Sequence, residues 1–580
     1  MYKPAPARPK KTSITRTRTG CWECRRRRVK CDERKPVCGR CERLGGECKQ
    51  KTGFRFCQVY GQDVAERPIS NRENVQPEPG LKHPTACRSS ENGPELSPDA
   101  SASHHLAVVQ RAAQAATGHS TLAIPQILMP RANPADAVRF YSMAWDWQCI
   151  PQLASMLHAG GASPLRSSPL LRDMMAAVSA SHLSRTSPQR RLLMPTHKEN
   201  FRPNPAHESV SQEFYGSVMK KMARWSAQDF GAHPILGLAV LTLFCLVEAS
   251  MGSFQAFGLH YDGATKLIDN YATTALAQDT QACALLGHLV EVRMQMWWRR
   301  VYFGTPNFHR HRPKVSLDPA FRSLTGLQSR RTSILLILCE SHRINNAAII
   351  AHWDRCSDSF VEATRTGNVQ PIIEPFEQMI HEEEETLDCW CRTYPFSGGV
   401  EQAQATFCAP SARLKVLPLH MASHTETMDF AYYVASRVLQ SRGPLYSLTL
   451  HDAEEIHRAY TDVEFWIHLL LRVLAGMNWK DCVRYNMYTI GITGVLLACL
   501  LRSHDRRIGL WCETWLQGCL DGSSLEEGSF PVFQTMAIIR LINKERSRGR
   551  DTFGLFQTVE DGGGSGKFGS YQSQALSSLL

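Results

Sequence analysis

Residues 21–48 read CWECRRRRVKCDERKPVCGRCERLGGEC, and this stretch decides how the N-terminus of the chain folds. Six cysteines follow the spacing C-x2-C-x6-C-x6-C-x2-C-x6-C, and the second three repeat the first three after 17 residues. The stretch therefore contains two similar half-sites in tandem. The cysteines are Cys21, Cys24, Cys31, Cys38, Cys41 and Cys48.

The number of cysteines predicts a site for two zinc ions. Zinc prefers four tetrahedral ligands, so two ions require eight ligand places, and six sulfurs fill eight places if two of them bridge both metals. So short a segment has almost no hydrophobic core, and metal binding must supply its folding energy. A single structural zinc with two spare thiols, or a zinc module that binds RNA or protein, is the alternative interpretation.

A run of basic residues lies between the second and third cysteines. Arg25, Arg26, Arg27 and Arg28 are followed by Val29 and Lys30. Successive residues of a helix turn by about 100°, so four arginines cover most of its circumference. Guanidinium groups bind guanine O6 and N7 in the major groove and neutralise phosphates, which favours double-stranded DNA with a G-rich site. A nuclear import signal is the simpler alternative for a basic run.

The charge of the chain is concentrated in this region. The 580 residues carry 66 Lys and Arg and 54 Asp and Glu, a net charge of +12. Residues 1–60 hold 18 Lys and Arg against 5 Asp and Glu, so that the other residues sum to −1. A small, strongly cationic segment is thus attached to a chain of nearly neutral charge. This distribution indicates that the segment, and not the rest of the chain, binds a polyanion.

Residues 21–48 resemble the DNA-binding domain of fungal binuclear zinc cluster transcription factors, most closely in CDERKPVCGRC. The resemblance implies that Cys21 and Cys38 bridge the two zinc ions. It also implies that Arg27, Arg28 and Lys30 read the bases, and that Pro36 occupies the loop between the half-sites. A nuclear regulator of RNA polymerase II transcription that reads a CGG-like site is the function this family would bring.

Composition divides the remaining chain, and we expect a mostly α protein. Residues 1–20 are predicted to be a basic disordered arm, 21–48 the cluster domain, 61–133 a disordered linker rich in Pro, Ser, Glu, Asn and Gly, 134–543 a large all-α regulatory domain, and 551–580 a disordered tail. The helices are predicted over Ala135–Trp147, Leu170–Leu183, Phe214–Trp225, Ile235–Ala249, Val292–Phe303, Thr332–His352, Met428–Gln440, Asp462–Leu474 and Cys482–Arg502.

The helical part is similar to the regulatory domain that follows such clusters, through FYGSVMKKMARW and FGLHYDGATKLI. Transcriptional co-regulators are its expected partners. Lys49–Pro68 shows no sustained heptads, which leaves dimerisation through a coiled coil open. Control of a secondary-metabolite gene cluster is a candidate role. The alternative is a metabolite-sensing or enzyme-like helical domain that the zinc module targets to chromatin.

Other features of the sequence argue against competing classes. The N-terminus has no apolar stretch typical of a secretory signal, and the longest apolar runs are too short to cross a bilayer, so no membrane partner is expected. No nucleophile motif, phosphate-binding loop or dinucleotide fingerprint supports an enzyme. We expect Trp297 and Trp298 to pack between helices, Cys389 and Cys391 not to bind metal, and Glu382–Glu385 to be an exposed face.

Overall fold

A computed structural model describes most of the chain beyond residue 163 and a few residues before it. The described residues are 24, 32, 37–44, 54–57, 140–141, 145, 153, 164–186, 200–201, 204–251, 254–271, 279–303, 314–316, 321, 326–362, 374–396, 414–448, 453–521, 526–528, 530–557, 571–572 and 576–579. The predicted arm 1–20 and linker 61–133 lie outside them, as does most of the predicted helix Ala135–Trp147.

Helices make up nearly all of the described secondary structure, which confirms the mostly α prediction. They are α1 Gly39–Arg43, α2 Pro164–Ser167, α3 Pro169–Thr186, α4 Pro205–Met222, α5 Ala227–Ala232, α6 Pro234–Met251, α7 Phe254–Tyr271, α8 Thr280–Phe303, α9 Gly326–Glu362, α10 Glu374–Thr393, α11 His424–Gln440, α12 Gly443–Tyr446, α13 Ala453–Gly476, α14 Trp479–Tyr485, α15 Ile492–Leu500, α16 Arg506–Asp521 and α17 Val532–Arg546.

Local signals explain where several of these helices begin. Asn204 caps α4 by accepting a hydrogen bond from the backbone N–H of Ala206, and proline occupies the first position of the helix. Ser226 and Asp229 form a capping box at the start of α5. This short helix separates α4 from α6, so the predicted hairpin of Phe214–Trp225 and Ile235–Ala249 contains an additional turn of helix between its two arms.

The predicted helix Cys482–Arg502 is wrong, because the chain divides there into α14 and α15. Asn486 ends α14, and α15 begins after Gly491. The buried carboxylate of Glu527 accepts hydrogen bonds from the first two backbone N–H groups of α15, those of Ile492 and Thr493, at 2.9 Å each. A remote acceptor thus satisfies a new helix N-terminus inside an apolar run that periodicity alone treats as continuous.

One hydrophobic core joins most of the helices from α3 to α17, and a second, smaller cluster packs α12 against parts of α9 and α10. Helix α9 packs against α8, α10 and α11. Contrary to the expectation from the sequence, its stretch Ser329–Asp354 is apolar and long enough to cross a membrane by length and composition, but 72% of that window is buried inside the protein. The stretch thus has the burial of a core helix of a folded domain.

Short strands complete the described structure. They are β1 Phe54–Cys57, β2 Asn200–Phe201, β3 Glu526–Glu527, β4 Phe530–Pro531, β5 Gly554–Gln557, β6 Tyr571–Gln572 and β7 Leu576–Leu579. Strand β7 lies between β1, which it pairs in parallel, and β5, which it pairs antiparallel. Strands β2 and β6 pair antiparallel, as do β3 and β4. Three of the strands thus fall within residues 551–580, which the sequence predicts to be a disordered tail.

The β3–β4 hairpin carries two buried acidic residues that tie distant helices together. Arg185 at the end of α3 donates from Nε to Glu526 Oε2 at 2.8 Å. Glu527 binds the start of α15 and also accepts from Asn486 Nδ2 at 2.7 Å. Both carboxylates are almost fully buried, and the hairpin therefore connects the N-terminal and C-terminal halves of the helical domain.

Candidate metal centre and DNA interface

Three of the six predicted zinc ligands lie together in the described part of the cluster. The sulfur atoms of Cys24, Cys38 and Cys41 are all within 4.8 Å of one another, and the three side chains are buried. Cys24 Sγ lies 3.7 Å from Cys38 Sγ. Since Cys24 belongs to the first half-site and Cys38 and Cys41 to the second, the structure brings the two halves of the repeat onto one centre.

Helix α1 positions the second half-site. Cys38 has extended backbone and is the N-cap of the helix, where its Sγ accepts a hydrogen bond from the backbone N–H of Cys41 at 3.4 Å. The C-x2-C spacing therefore places two sulfurs at the first turn of a helix, on the same side. Amide hydrogen bonds to a sulfur stabilise its thiolate form, which is the form that binds zinc.

The geometry of the sulfurs fits shared metal ligation. Two thiolates at about 2.3 Å from one tetrahedral zinc lie about 3.8 Å apart, and the Cys24 to Cys38 distance is 3.7 Å. A disulfide would require about 2.05 Å between the sulfurs. Cys21, Cys31 and Cys48, the other three predicted ligands, lie outside the described residues.

Asp32 supports the centre in a way that the sequence analysis missed. Its carboxylate oxygens accept from the backbone N–H of Gly39, the first residue of α1, at 3.2 and 3.0 Å. The contact connects the residue that follows Cys31 to the residue that follows Cys38, so it braces one half-site against the other. The signal in the sequence was an acid directly after a ligand, since carboxylates near a metal site often hold its ligands in place through hydrogen bonds.

The surface of α1 is polar and basic. Arg40, Glu42 and Arg43 are exposed, and Arg43 Nε donates to the carbonyl of Gly39 at 3.2 Å. The residues predicted to contact DNA are outside the described part of the chain. They are Arg25, Arg26, Arg27, Arg28 and Lys30. Their contact with DNA stays a prediction.

The structure also places the cysteine pair of α10 and the tryptophan pair of α8. Cys389 is exposed and Cys391 packs against the core, and among the described residues the only group of three metal-ligating side chains is the cysteine cluster. Trp298 is buried, with its ring edge-on to His342 at a centroid distance of 4.5 Å.

The prediction that Glu382–Glu385 forms an exposed face is wrong for part of that run. Glu383 is buried and Glu384 pairs with Arg442. Helical periodicity places Glu383 on the same face as Ile380 and Leu387, which are core residues, so one acid of four must face inward. Burial raises the pKa of Glu383, and the neighbouring Glu340 raises it further.

Comparison with known proteins concerns the N-terminal segment. Residues 19–55 match the family described as fungal Zn(2)-Cys(6) binuclear cluster domain. The chain is 67% identical over 33 residues to white-opaque regulator 2 of Candida albicans, an alignment that covers 6% of this chain and 7% of that protein. It is 51% identical over 41 residues to transcription activator AMTR1 of Alternaria alternata, covering 7% of this chain and 5% of the relative.

A third relative is the aspercryptin biosynthesis cluster-specific transcription regulator atnN of Emericella nidulans, which is 40% identical over 73 residues, 12% of each chain. The alignments thus cover only a small fraction of these relatives. No solved structure matches the chain. The spacing of six cysteines, the three grouped sulfurs and the family match all concern the same segment, and residues 19–55 are a fungal Zn(2)-Cys(6) binuclear cluster domain that binds two zinc ions.

Proposed function

We propose that this protein is a nuclear, sequence-specific DNA-binding regulator of transcription. The observation that carries the proposal is the sulfur group of Cys24, Cys38 and Cys41 within a segment that matches the binuclear cluster family. The names of all three relatives above describe regulators, and two of them name transcription, which supports a regulator rather than an enzyme.

We propose that zinc ligation by the cysteines on either side restrains the basic segment of the cluster. Between the ligands Cys24 and Cys31 lie four arginines and Lys30. Because a metal ligand precedes and another follows this segment, its backbone is restrained at both ends. It therefore loses little further conformational entropy when its side chains bind DNA. We propose that Arg27, Arg28 and Lys30 contact base edges of a G-rich, CGG-like site, and that Arg25 and Arg26 neutralise phosphates.

The name of one relative suggests which class of genes this protein controls. The name of atnN assigns it to a biosynthesis cluster, and its alignment with this chain spans 73 residues. We therefore propose that the chain controls a gene cluster for a secondary metabolite. Its helical domain would bind transcriptional co-regulators, and double-stranded DNA would be the partner of the cluster.

The test is a selection of DNA sites by the full-length, zinc-loaded protein from a pool of random duplexes. We expect enrichment of a CGG-like triplet, loss of enrichment when a chelator removes zinc, and no competition by double-stranded RNA. Arg28→Ala should relax the preference for one base pair, whereas Lys10→Ala with Lys11→Ala should weaken binding to every sequence alike.

Lys544→Ala is the matched control, because Lys544 is an exposed cation on α17 in the helical domain. Its binding should equal that of the unchanged protein. A pool that shows no enriched sequence, or enrichment that persists after zinc removal, contradicts the proposed function.

A further inference from the structure

The helical domain contains a cavity of about 530 Å³ whose lining includes none of the described residues of the zinc cluster. It lies where the end of α11 and the short helix α12 meet α10 and α13. Cavities that hold small organic ligands have volumes of roughly 300 to 1,000 Å³. The cavity is therefore large enough for a metabolite with one or two rings.

Close backbone contact forms one wall of the cavity. Gly443, the first residue of α12, lies against α13 so closely that a Cβ at this position would overlap the carbonyl oxygen of Ala459. A glycine at this position permits α12 to approach α13 without displacing it. The short helix is thereby held against α13, and the residues around it form a defined surface.

Three arginines line the cavity, and two of them are held in place by other groups. Arg442 donates from both terminal nitrogens to the carboxylate of Glu384, at 2.9 and 2.7 Å. Arg437 pairs with Asp388 and lies over the ring of Trp466, 5.7 Å from its centroid. A guanidinium has five N–H donors, so donors remain on both side chains for an incoming oxyanion.

The third arginine, Arg458 on α13, is exposed and has no hydrogen-bond or ion-pair partner among the described residues. Asp462, one helical turn further along, also lines the cavity without such a partner. Glu384 pairs with Arg442 and Asp388 pairs with Arg437, so Arg458 is the lining arginine whose charge no ion pair among the described residues neutralises. Arg458 is the cation that a bound anion can pair with at no cost to an existing contact.

Apolar and polar groups complete the lining. Phe465 and Trp466 are half-buried and offer ring surface to a planar ligand. Gln440 also lines the cavity and is almost fully buried, and its Oε1 has no hydrogen-bond partner within the described part of the chain. Its Nε2 donates to Ser341 Oγ at 3.0 Å, which orients the amide. Buried acceptors are normally satisfied, so this oxygen is an acceptor for a donor group of a ligand and not for its carboxylate.

We propose that this cavity is a binding site for a small organic anion that carries an aromatic ring. The carboxylate of the ligand pairs with Arg458 and reaches the remaining donors of Arg437, while the ring lies against Trp466 and Phe465. Guanidinium groups match the planar geometry of carboxylates. The proposal concerns the helical domain and does not depend on DNA binding by the cluster.

Naphthalene-2-carboxylate is a suitable probe, titrated calorimetrically into the full-length, zinc-loaded protein. We expect saturation at one equivalent per chain with a Kd below about 1 mM. Naphthalene-2-methanol, which has the ring without the charge, and inorganic phosphate, which has charge without the ring, should each bind at least about tenfold more weakly.

Two variants on α13 test the charge assignment in opposite directions. Arg458→Gln should weaken binding of the carboxylate about tenfold, and Asp462→Asn should strengthen it about threefold. Both residues are exposed, so neither change should disturb the fold. Arg506→Gln is the matched control, since Arg506 is an exposed arginine on α16 that does not line the cavity.

The proposal is overturned if the probe does not saturate, if the uncharged alcohol binds as well as the carboxylate, or if Arg458→Gln and Arg506→Gln have equal affinities. Thermal unfolding of each variant accompanies the titrations to establish that it is folded. Site selection on the same preparations reports DNA binding separately, so a failure of this proposal is distinguishable from a failure of the proposed function.

Discussion

Replacement of Cys38 by serine should weaken the binding of both zinc ions, whereas replacement of Cys41 should weaken the binding of only one. Six sulfurs supply eight ligand places when two of them bridge, and the family resemblance makes Cys38 a bridging ligand. In the structure Cys38 is fully buried and lies near both Cys24 and Cys41. Its loss deletes one bond from each metal, while Cys41 contributes to one metal alone.

The ligand count sets the expected magnitude. A four-ligand structural zinc site is worth roughly 10 to 16 kcal/mol at neutral pH, which is about 3 kcal/mol for each zinc–sulfur bond. Cys41→Ser should therefore lower the affinity for one zinc ion about 100-fold. Cys38→Ser should lower the affinity for both ions by about that factor, and it also removes the sulfur that caps α1.

Zinc per chain is measured by elemental analysis after equilibration against a series of chelator concentrations. We expect two tightly held ions in the unchanged protein, one in Cys41→Ser and none in Cys38→Ser. Cys389→Ser, at an exposed cysteine of α10, is the control and should retain both. Identical zinc retention by Cys38→Ser and Cys41→Ser would refute the bridging role, and two tightly held ions in Cys38→Ser would refute the cluster as a whole.

Two further predictions concern the helical domain. Glu527→Ala leaves four buried hydrogen-bond donors without their acceptor. At about 1 kcal/mol for each donor, the free energy of unfolding measured by denaturant titration should fall by about 4 kcal/mol. The control Glu382→Ala, at an exposed site, should change the free energy of unfolding by less than about 0.5 kcal/mol, and equal effects of the two substitutions would disprove the role of Glu527. Burial lowers the pKa of His260 to about 3, whereas a histidine in the unfolded chain has a pKa of about 6.5. As the pH falls below about 6.5, the unfolded state therefore binds a proton that the folded state does not. The free energy of unfolding should then decrease by up to about 1.4 kcal/mol per pH unit. His260→Gln should lack this part of the pH dependence, and an unchanged slope would contradict the assignment.

Much of the helical domain could be predicted because apolar periodicity and caps are local signals. Leu170–Leu183 and Met428–Gln440 fall inside α3 and α11, and Ile235–Ala249 falls inside α6. The prediction failed at Cys482–Arg502, where the whole stretch is apolar enough to be one buried helix. The break depends on Glu527, which is far along the chain, and no local pattern contains that information.

The same distinction holds for individual charges and for the cavity. Four consecutive acids on α10 read as a solvated face, yet the turn of the helix puts Glu383 into the interior. The cavity arises from α10, α11, α12 and α13 together, and Arg458 has no motif around it that would mark it. Asp32 had a detectable signal in its position after a ligand, but its partner Gly39 became evident only from the hydrogen bond.

The zinc cluster follows from the amino-acid sequence alone, because all six ligands lie within residues 21–48 and the coordination number of zinc constrains how they can be combined. The helical class follows from it too, because amphipathic periodicity is a property of neighbouring residues. The start of α15, the burial of particular acids and the position of the cavity come from the packed fold. Each of these features depends on contacts between residues far apart in the chain. Such contacts stabilise the protein only after the helices have packed together.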